Sequence, residues 1–542
     1  MNRRFFLRLA AWGGAAAATN PVRAAVPSEL AAPASPARRV KPFDLDELSI
    51  PDLQDRMSSG KASALSLTRK YLGRIAEIDR RGPSLNAVIE LNPEAEAIAA
   101  TLDRERRAAG PRGPMHGIPI LLKDNIDTHD RLRTTAGSLA LADSMPLRDA
   151  FIVERLRAAG AVILGKTNLS EWANFRGALS TSGWSGRGGL TRNPYALDRN
   201  PSGSSSGSGV AVAANLCAVA VGTETDGSIL SPSSFNGIVG LKPTVGLVSR
   251  SGIIPIAQSQ DTAGPMARSV ADAAILLGVL SGADPRDPAT AASTGRSHAD
   301  YTPFLDPYAL AGARLGVARA FFGFHRQVDS LMEAALAGLA KMGAELVDPV
   351  EVPRSPKLDA AEGEVLHYEF KAGINTYLAS LGPGAPMRHL ADLISFNHRN
   401  ADQELHWFGQ EEFLKAEAKG PLTDSAYLEA VATCRQLARV EGIDATMDRH
   451  KLDAIIAPTT GPAHLTDLAI GDHDLGGSTS PAAVAGYPSI TVPMGQVLGL
   501  PVGISFFGRA WSEPRLIALA YAFERAAAAR RPPRFLASIG PT

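Results

Sequence analysis

The chain has 542 residues, 45% of them hydrophobic, and its 55 Lys and Arg residues balance 55 Asp and Glu residues. A neutral chain offers no basic footprint for nucleic acid, so we expect no nucleic-acid partner. The sequence shows no internal repeat and no Cys/His cluster with metal-ligand spacing, so it predicts no metal and no cofactor. Cys217 and Cys434 lie in apolar or helical contexts, and we expect both thiols to be free.

The N-terminus predicts an export signal. Residues 2–8, NRRFFLR, resemble a twin-arginine signal and precede a short apolar run and small residues. The run is too short to span a bilayer, so no stable membrane anchor is expected. We predict an export signal over 1–24, a disordered leader over 25–40 and a single domain over 41–542, in a periplasmic or secreted protein. A coincidental basic start is the alternative.

Alternating helices and strands then predict an α/β fold with one large mixed central sheet surrounded by helices. Predicted helices cover 51–79, 150–159, 269–280, 328–342 and 511–529, with another ending near 109. Predicted strands cover 85–91, 116–123, 161–164, 314–317, 344–347 and 452–458. A long helical excursion over about 359–450 fits a lid or a substrate-shaping region.

Lys123 is a candidate base. It ends an apolar run over 118–122, which places an amine at the end of a buried strand, where active-site groups of α/β folds gather. His116 and His129 lie near this region in sequence but in no recognisable base motif. A strand-end lysine whose amine reaches solvent is the alternative for Lys123.

A polar segment follows the next strand. Residues 165–177 read GKTNLSEWANFRG, within which Trp172 and Asn174 are candidates for contacting a substrate, together with Asn168 and Glu171. Helix capping and core packing explain the same residues equally well.

Two turns rich in Ser and Gly flank one short helix and strand. The turns are 203–209, GSSSGSG, and 222–228, GTETDGS, and the span between them predicts a helix over 210–216 and a strand over 217–221. Gly227 allows successive N–H groups to point into one pocket, as an oxyanion hole requires. Ser205 formally matches the G-x-S-x-G nucleophile elbow, but that elbow needs a preceding apolar strand, and the residues before it resemble turns.

These motifs resemble the amidase signature family. LKDN at 122–125, the two turns and VGLKPT at 239–244 occur in the family's order, and the match extends over about 49–532. Residues 486–493 and 499–503 resemble the family's closing strands. TTAGS at 134–138 and the 165–177 segment are similar to the bacterial peptide amidase subgroup. The resemblance implies the amidase-signature fold and hydrolysis of amides.

The resemblance also implies roles for individual residues. Ser228 would be the nucleophile, Ser204, which follows a cis peptide bond in the family, would relay protons, and Lys123 would be the base. Ser204 matches because the family's cis-serine lies 24 positions before the nucleophile. The backbone N–H groups of the oxyanion hole would come from Thr225, Asp226, Gly227 and Ser228. Where many members carry Gly-Gly before the nucleophile this chain has Asp226-Gly227, so the Asp226 carboxylate becomes a candidate substrate contact.

The leading hypothesis is release of ammonia from primary amides, most specifically the C-terminal amide of peptides, through an acyl-enzyme. The alternative enzyme is a broad-specificity amidase acting on small aryl or aliphatic amides. A component of a tRNA-dependent amidotransferase and a non-catalytic binding protein are further alternatives; the export signal opposes the first, and intact Lys123, Ser204 and Ser228 oppose the second. The sequence does not fix the oligomeric state, and we expect a monomer.

Overall fold

Eleven strands form one mixed sheet in the part of the chain described by a computed structural model, residues 40–352 and 355–540. The strands are β1 (Val88–Leu91), β2 (Pro119–Lys123), β3 (Val162–Thr167), β4 (Trp184–Ser185), β5 (Gly189–Leu190), β6 (Val219–Glu224), β7 (Val239–Lys242), β8 (Thr262–Ala267), β9 (Arg314–Val317), β10 (Glu345–Val347), β11 (Ala454–Pro458), β12 (Ser489–Val497) and β13 (Leu500–Phe507). The sheet order is β1-β3-β2-β6-β8-β7-β12-β13-β11-β9-β10, and β4 and β5 pair separately. This architecture confirms the α/β class and the mixed central sheet.

Helices pack around this sheet. They are α1 (Ile50–Ser58), α2 (Ala64–Arg74), α3 (Ala95–Ala109), α4 (Phe151–Ala158), α5 (Ser206–Ala213), α6 (Leu230–Phe235), α7 (Val270–Leu280), α8 (Arg326–Lys341), α9 (Pro356–Ser380), α10 (Leu390–Arg399), α11 (Ala401–Glu404), α12 (Glu411–Glu417), α13 (Ser425–Cys434), α14 (Ala445–His450), α15 (Ser480–Ala485) and α16 (Glu513–Ala527). None of the helices in the described ranges is long and apolar enough to cross a membrane. Cys217 and Cys434 are both buried and unbridged.

The first predicted helix is wrong in one respect: 51–79 is divided. Helix α1 ends at Ser58 and α2 begins at Ala64, each preceded by a serine, Ser49 or Ser63, whose hydroxyl accepts a backbone N–H of the first turn. Gly60 lies between them with φ +72°, a conformation that glycine adopts without steric cost. The chain therefore turns where the apolar spacing alone suggested continuity.

The parallel strands β3, β2 and β6 lie side by side and end together. Lys123 pairs with Thr167 at the ends of β2 and β3, and Glu224 ends β6. We call this the carboxyl edge, the edge of the sheet at which these three strands end. Loops that follow such strands meet in a common crevice, which is where open α/β sheets bind ligands.

Helix α5 begins at Ser206, four residues before the predicted start, and β6 extends to Glu224, beyond the predicted end at Val221. Tertiary packing accounts for both differences. A Cβ at Gly207 would lie 2.3 Å from the Ala87 carbonyl oxygen, so glycine lets the first turn of α5 approach the neighbouring backbone. The extra residues of β6 pair with the antiparallel strand β8, which the local sequence did not reveal.

Residues 356–450, here called the helical region, contain α9 to α14 without an intervening strand. Phe370 and Phe413 of this region stack with ring centroids 5.2 Å apart and are fully buried. Trp172 packs edge-on against Phe413 at 5.6 Å, which joins the region to the loop after β3. The predicted export signal over 1–24 lies outside the described residues, as does the predicted leader over 25–40 except for Val40.

Candidate active site

Lys123 is buried at the carboxyl edge and bonds only to uncharged groups. Its Nζ donates to Ser204 Oγ at 2.8 Å, to Thr223 Oγ1 at 2.9 Å and to the Thr223 carbonyl oxygen at 3.1 Å. Burial lowers the pKa of Lys123 to about 7, while the negative charges of Glu224 and Asp261 act in the opposite direction. An amine with this pKa is neutral in a large fraction of molecules at neutral pH and can accept a proton.

The two serine turns meet beside Lys123. The peptide bond between Gly203 and Ser204 is cis, as the family resemblance implied. The N–H of Ser205 donates to the Ser228 carbonyl oxygen at 3.2 Å, which ties the first turn to the second. The Ser205 hydroxyl donates to the Thr223 carbonyl oxygen at 3.0 Å and so lies among backbone groups of β6. The structure thus brings Lys123, Ser204 and the Ser228 turn together.

The loop over 225–228 connects β6 to α6, and the Glu224 side chain links its two ends by hydrogen bonds. The Glu224 carboxylate accepts the N–H groups of Ile229 at 2.6 Å and Leu230 at 2.9 Å. Gly227 turns the chain with φ +76°. Within the described residues, the N–H groups of Thr225, Asp226, Gly227 and Ser228 donate no hydrogen bond to another protein group. These N–H groups therefore remain available to an oxyanion.

A cavity of about 430 Å³ opens onto Ser228, and we call it the serine cavity. Asn174, a sequence candidate, lines it, and its amide is held by the Ser182 hydroxyl at 2.9 Å. Asp226 also lines it, and its carboxylate accepts the Thr479 hydroxyl at 2.8 Å. Burial raises the pKa of Asp226, and the hydroxyls of Ser480 and Thr479 oppose that rise.

Trp172, the third candidate for a substrate contact, is in the core instead. Its side chain is 2% exposed and packs against Phe413, and it does not line the serine cavity. Core packing was the alternative explanation, and it is the one that the structure supports, because the indole lies between the loop after β3 and the helical region.

A second cavity of about 450 Å³ lies next to the serine cavity. The two share Ala173, Thr225 and Ile256 in their linings. The second cavity reaches Asn125 and Thr223, and the Asn125 amide donates to Thr223 Oγ1 at 3.0 Å. Its lining therefore includes Thr223, a hydrogen-bond partner of Lys123. In the described part of the chain, no group of three or more His, Cys, Asp or Glu side chains is arranged to hold a metal ion.

Several residues of the site were not selected as candidates from sequence. Asn125 lies in the motif LKDN that contains Lys123, and Thr223 lies in the turn GTETDGS that contains Ser228. This closeness in sequence to the candidate catalytic residues could have identified both. An acid at the end of a buried strand could have indicated Glu224, whose pKa burial raises and the charge of Lys242 lowers. Nothing in the local sequence pointed to Thr479, because it lies about 250 residues from Asp226.

The Amidase family model matches residues 66–517, which is most of the chain. The chain therefore belongs to the amidase family, and it is a hydrolase that acts on amides.

Individual relatives agree with this assignment. The native peptide amidase of Stenotrophomonas maltophilia is 56% identical with a TM-score of 0.87, and the match covers 91% of this chain and 100% of that one. A protein of Arabidopsis thaliana named "probable amidase" is 43% identical over 93% of this chain and 94% of its own length. An amidase family protein of Bacillus anthracis is 36% identical with a TM-score of 0.82, over 90% of this chain and 93% of that one.

Proposed function

We propose that this amidase releases ammonia from the C-terminal amide of peptides, with Ser228 as nucleophile, Ser204 as proton relay and Lys123 as base. One observation carries the chemical part of the proposal: Lys123 Nζ lies 2.8 Å from Ser204 Oγ in a buried site where its pKa is about 7. A neutral amine hydrogen-bonded to a hydroxyl can accept that hydroxyl's proton, which is what activation of a serine requires.

The reaction proceeds in two halves. Ser228 Oγ attacks the amide carbonyl carbon and gives its proton to Ser204 Oγ, whose own proton passes to Lys123. The protonated Lys123 then returns a proton through Ser204 to the amide nitrogen, the C–N bond breaks, and ammonia leaves. Water attacks the acyl-enzyme by the same relay and releases the carboxylic acid and Ser228.

The loop over 225–228 stabilises the charge that develops. In each tetrahedral intermediate the former carbonyl oxygen becomes an oxyanion, and the free N–H groups of Thr225, Asp226, Gly227 and Ser228 are its donors. A positioned backbone donor of this kind contributes roughly 3–4 kcal/mol to the transition state. Because Glu224 holds the loop closed, these donors need no reorganisation when the substrate binds.

Two observations support a peptide amide as substrate. The match to the Stenotrophomonas peptide amidase covers that whole chain at 56% identity. The serine cavity combines polar groups such as Asn174 and Asp226 with apolar ones such as Ile256 and Leu366, as a peptide backbone with side chains requires. A broad-specificity amidase for small aryl or aliphatic amides is the second candidate, because the free loop N–H groups recognise only the amide carbonyl.

The test is ammonia release from a short peptide amide, the same peptide with a free carboxylate, and a small aryl amide, each with wild type and Ser228→Ala. Ammonia that depends on Ser228 and comes from the peptide amide alone supports the proposal. Activity on the aryl amide without activity on the peptide amide favours the broad amidase. Absence of ammonia from every amide overturns both.

The same proposal includes export of the protein by the twin-arginine route, with a signal over residues 1–24, and action as a monomer formed by a single domain. Fractionation of cells that express the full chain, with N-terminal sequencing of the exported form, tests the signal. Light scattering of the purified protein tests the oligomeric state.

A further inference from the structure

Three consecutive residues beside the serine cavity have a left-handed backbone. The φ angles are +50° at Trp172, +54° at Ala173 and +70° at Asn174. Residues with a side chain rarely adopt this conformation, and they do so as single residues rather than as runs. The surrounding structure must therefore impose this conformation. We call residues 171–176 the wall segment, because Ala173, Asn174 and Phe175 line the serine cavity.

Charged side chains anchor both ends of the wall segment. Glu171 precedes the left-handed run and Arg176 follows it, and the two form an ion pair with each other. Arg176 also pairs with Glu404 of the helical region, with Nη1 3.3 Å from Oε2. All three side chains are fully buried. One ion cluster thus holds the start and the end of the run and reaches it from α11, 228 residues further along the chain.

The cluster is also bonded to its surroundings. Glu404 Oε1 accepts the N–H of Leu139 at 2.7 Å, and Glu171 Oε2 accepts the N–H of Gly186 at 2.6 Å. A Cβ at Gly186 would lie 2.7 Å from Glu404 Oε2, so the carboxylates pack directly against that glycine. The Arg176 guanidinium lies over the Phe408 ring, 4.1 Å from its centroid. Arg176 is therefore enclosed by protein groups on every side.

The charges of the cluster balance only if one carboxyl group holds a proton. Burial raises the pKa of Glu171 well above its usual value, the charge of Arg176 opposes that rise, and the charge of Glu404 adds to it. A protonated Glu171 leaves one guanidinium facing one carboxylate. An unbalanced buried charge would be costly, so this protonation state suits a dry interior.

We propose that Glu171, Arg176 and Glu404 are positioning residues that hold the wall segment in the shape required by the peptide part of the substrate. Glu404 makes this shape depend on the docking of the helical region. This inference rests on the proposed peptide-amide substrate, because the wall contacts what extends from the scissile amide and not the amide itself.

Glu404→Ala is the test variant, since it removes the carboxylate that the helical region contributes and leaves Glu171 as the one carboxylate of the cluster beside Arg176. Glu404→Gln is the conservative variant: it keeps an acceptor for the Leu139 N–H, and Glu171 can then ionise beside Arg176. Glu364→Ala is the matched control, because Glu364 forms an ion pair with Lys419 at 2.7 Å within the helical region and does not line the serine cavity.

We expect Glu404→Ala to raise KM for a tripeptide amide about tenfold while kcat changes less than about threefold, since the lost interaction concerns binding rather than the reacting atoms. Glu404→Gln should restore KM to within about threefold of wild type, and Glu364→Ala should leave KM unchanged. Hydrogen exchange of the Trp172, Ala173 and Phe175 amides, measured without substrate, should be faster in Glu404→Ala alone.

An unchanged KM or unchanged exchange in Glu404→Ala overturns the inference, as does equal loss in Glu404→Gln. If wild type cleaves no peptide amide, the proposed function fails; the exchange measurement still decides whether the cluster holds the wall, and an unchanged exchange rate overturns that separately.

Discussion

Lys123 at the carboxyl edge and Lys419 in the helical region differ in the charge of their hydrogen-bond partners. At the carboxyl edge, Lys123 bonds to Ser204 and Thr223, which are neutral, and within the described residues it forms no ion pair closer than 4.0 Å. In the helical region, Lys419 has a carboxylate partner, since its Nζ lies 2.7 Å from Glu364.

A counter-charge stabilises the charged form of a group, whereas neutral partners in a dry site do not. The difference therefore separates a lysine whose proton can leave near neutral pH from cations that only hold helices in place. Four substitutions test this comparison.

The largest effect is expected from Ser228→Ala, which should lower kcat by roughly 10⁴-fold or more, because no other group at the carboxyl edge replaces the nucleophile. The thermal midpoint should stay close to that of wild type. Ammonia release and calorimetry on the same samples measure both. Ser205→Ala is the matched control: its hydroxyl only bonds backbone groups of Thr223, so most activity should remain. Comparable losses in the two variants would contradict the assignment of Ser228.

Lys123→Met should lose nearly as much activity as Ser228→Ala, because members of a catalytic unit do not contribute additively. Its stability at pH 7 should equal or exceed that of wild type. Burial disfavours the charged amine in the folded state, and for a pKa lowered from 10.5 to about 7 this costs roughly 5 kcal/mol of stability, fully present below about pH 7. Urea unfolding at pH 7 compares the two proteins.

The sign of the pH dependence follows from the same pKa. Between about pH 7 and 10.5 the unfolded chain binds more protons at Lys123 than the folded chain, so the wild type gains stability with rising pH and its deficit against Lys123→Met shrinks. The wild-type kcat/KM should also rise through about pH 7, as the amine becomes neutral. A kcat/KM that does not change with pH near 7 would contradict the contrast between Lys123 and the paired cations of the helical region.

Gly227→Ala should lower kcat by about 10²-fold, because the loop over 225–228 would lose the alignment of its N–H donors. The backbone has φ +76° at this position, and a Cβ would lie 2.9 Å from Ser231 Oγ. Steady-state kinetics with a peptide amide measure the change. Gly363→Ala in α9 is the control, since a Cβ there meets no described atom within 4 Å, and it should retain activity with slightly higher stability.

Tyr377→Phe should have the smallest effect, a loss of about 1 kcal/mol in unfolding free energy with activity within about threefold of wild type. The Tyr377 hydroxyl of α9 donates to Asp127 Oδ1 at 2.8 Å. Burial raises the pKa of Asp127 to about 7, and without this donor the pKa should rise further. Chemical unfolding at pH 6 and pH 8 measures the change; a large loss of activity would show that the helical region takes part in the chemistry.

The sequence predicted features that depend on neighbouring residues better than contacts between residues distant in sequence, and the reason is the range of the interactions. Strand β9 was predicted at its exact bounds, Arg314–Val317, and Lys123 was placed at a strand end because an apolar run and its terminating residue are local features. Family motifs then supplied Ser204 and Ser228.

The remaining features depend on partners distant in sequence. The sequence of residues 165–177 does not indicate that Phe413 and Glu404 pack against this segment. Only the tertiary structure shows that Trp172 lies in the core. The same applies to Thr479 beside Asp226 and to the early start of α5, whose glycines allow backbone contact with the loop before β1.

The order of strands at the carboxyl edge has a consequence for how the protein folds. Strand β2 pairs with β6 through Ile120 and Val219, which are about a hundred residues apart, and β6 pairs in turn with β8. Strands this far apart in sequence pair slowly, because closing the long intervening loop costs entropy before any stabilising contact forms. Until β6 has been synthesised and paired, Lys123 remains hydrated and charged. If Lys123 is the base, as proposed, the site is complete only after β6 and β8 have been synthesised, and we expect shorter nascent fragments to be inactive.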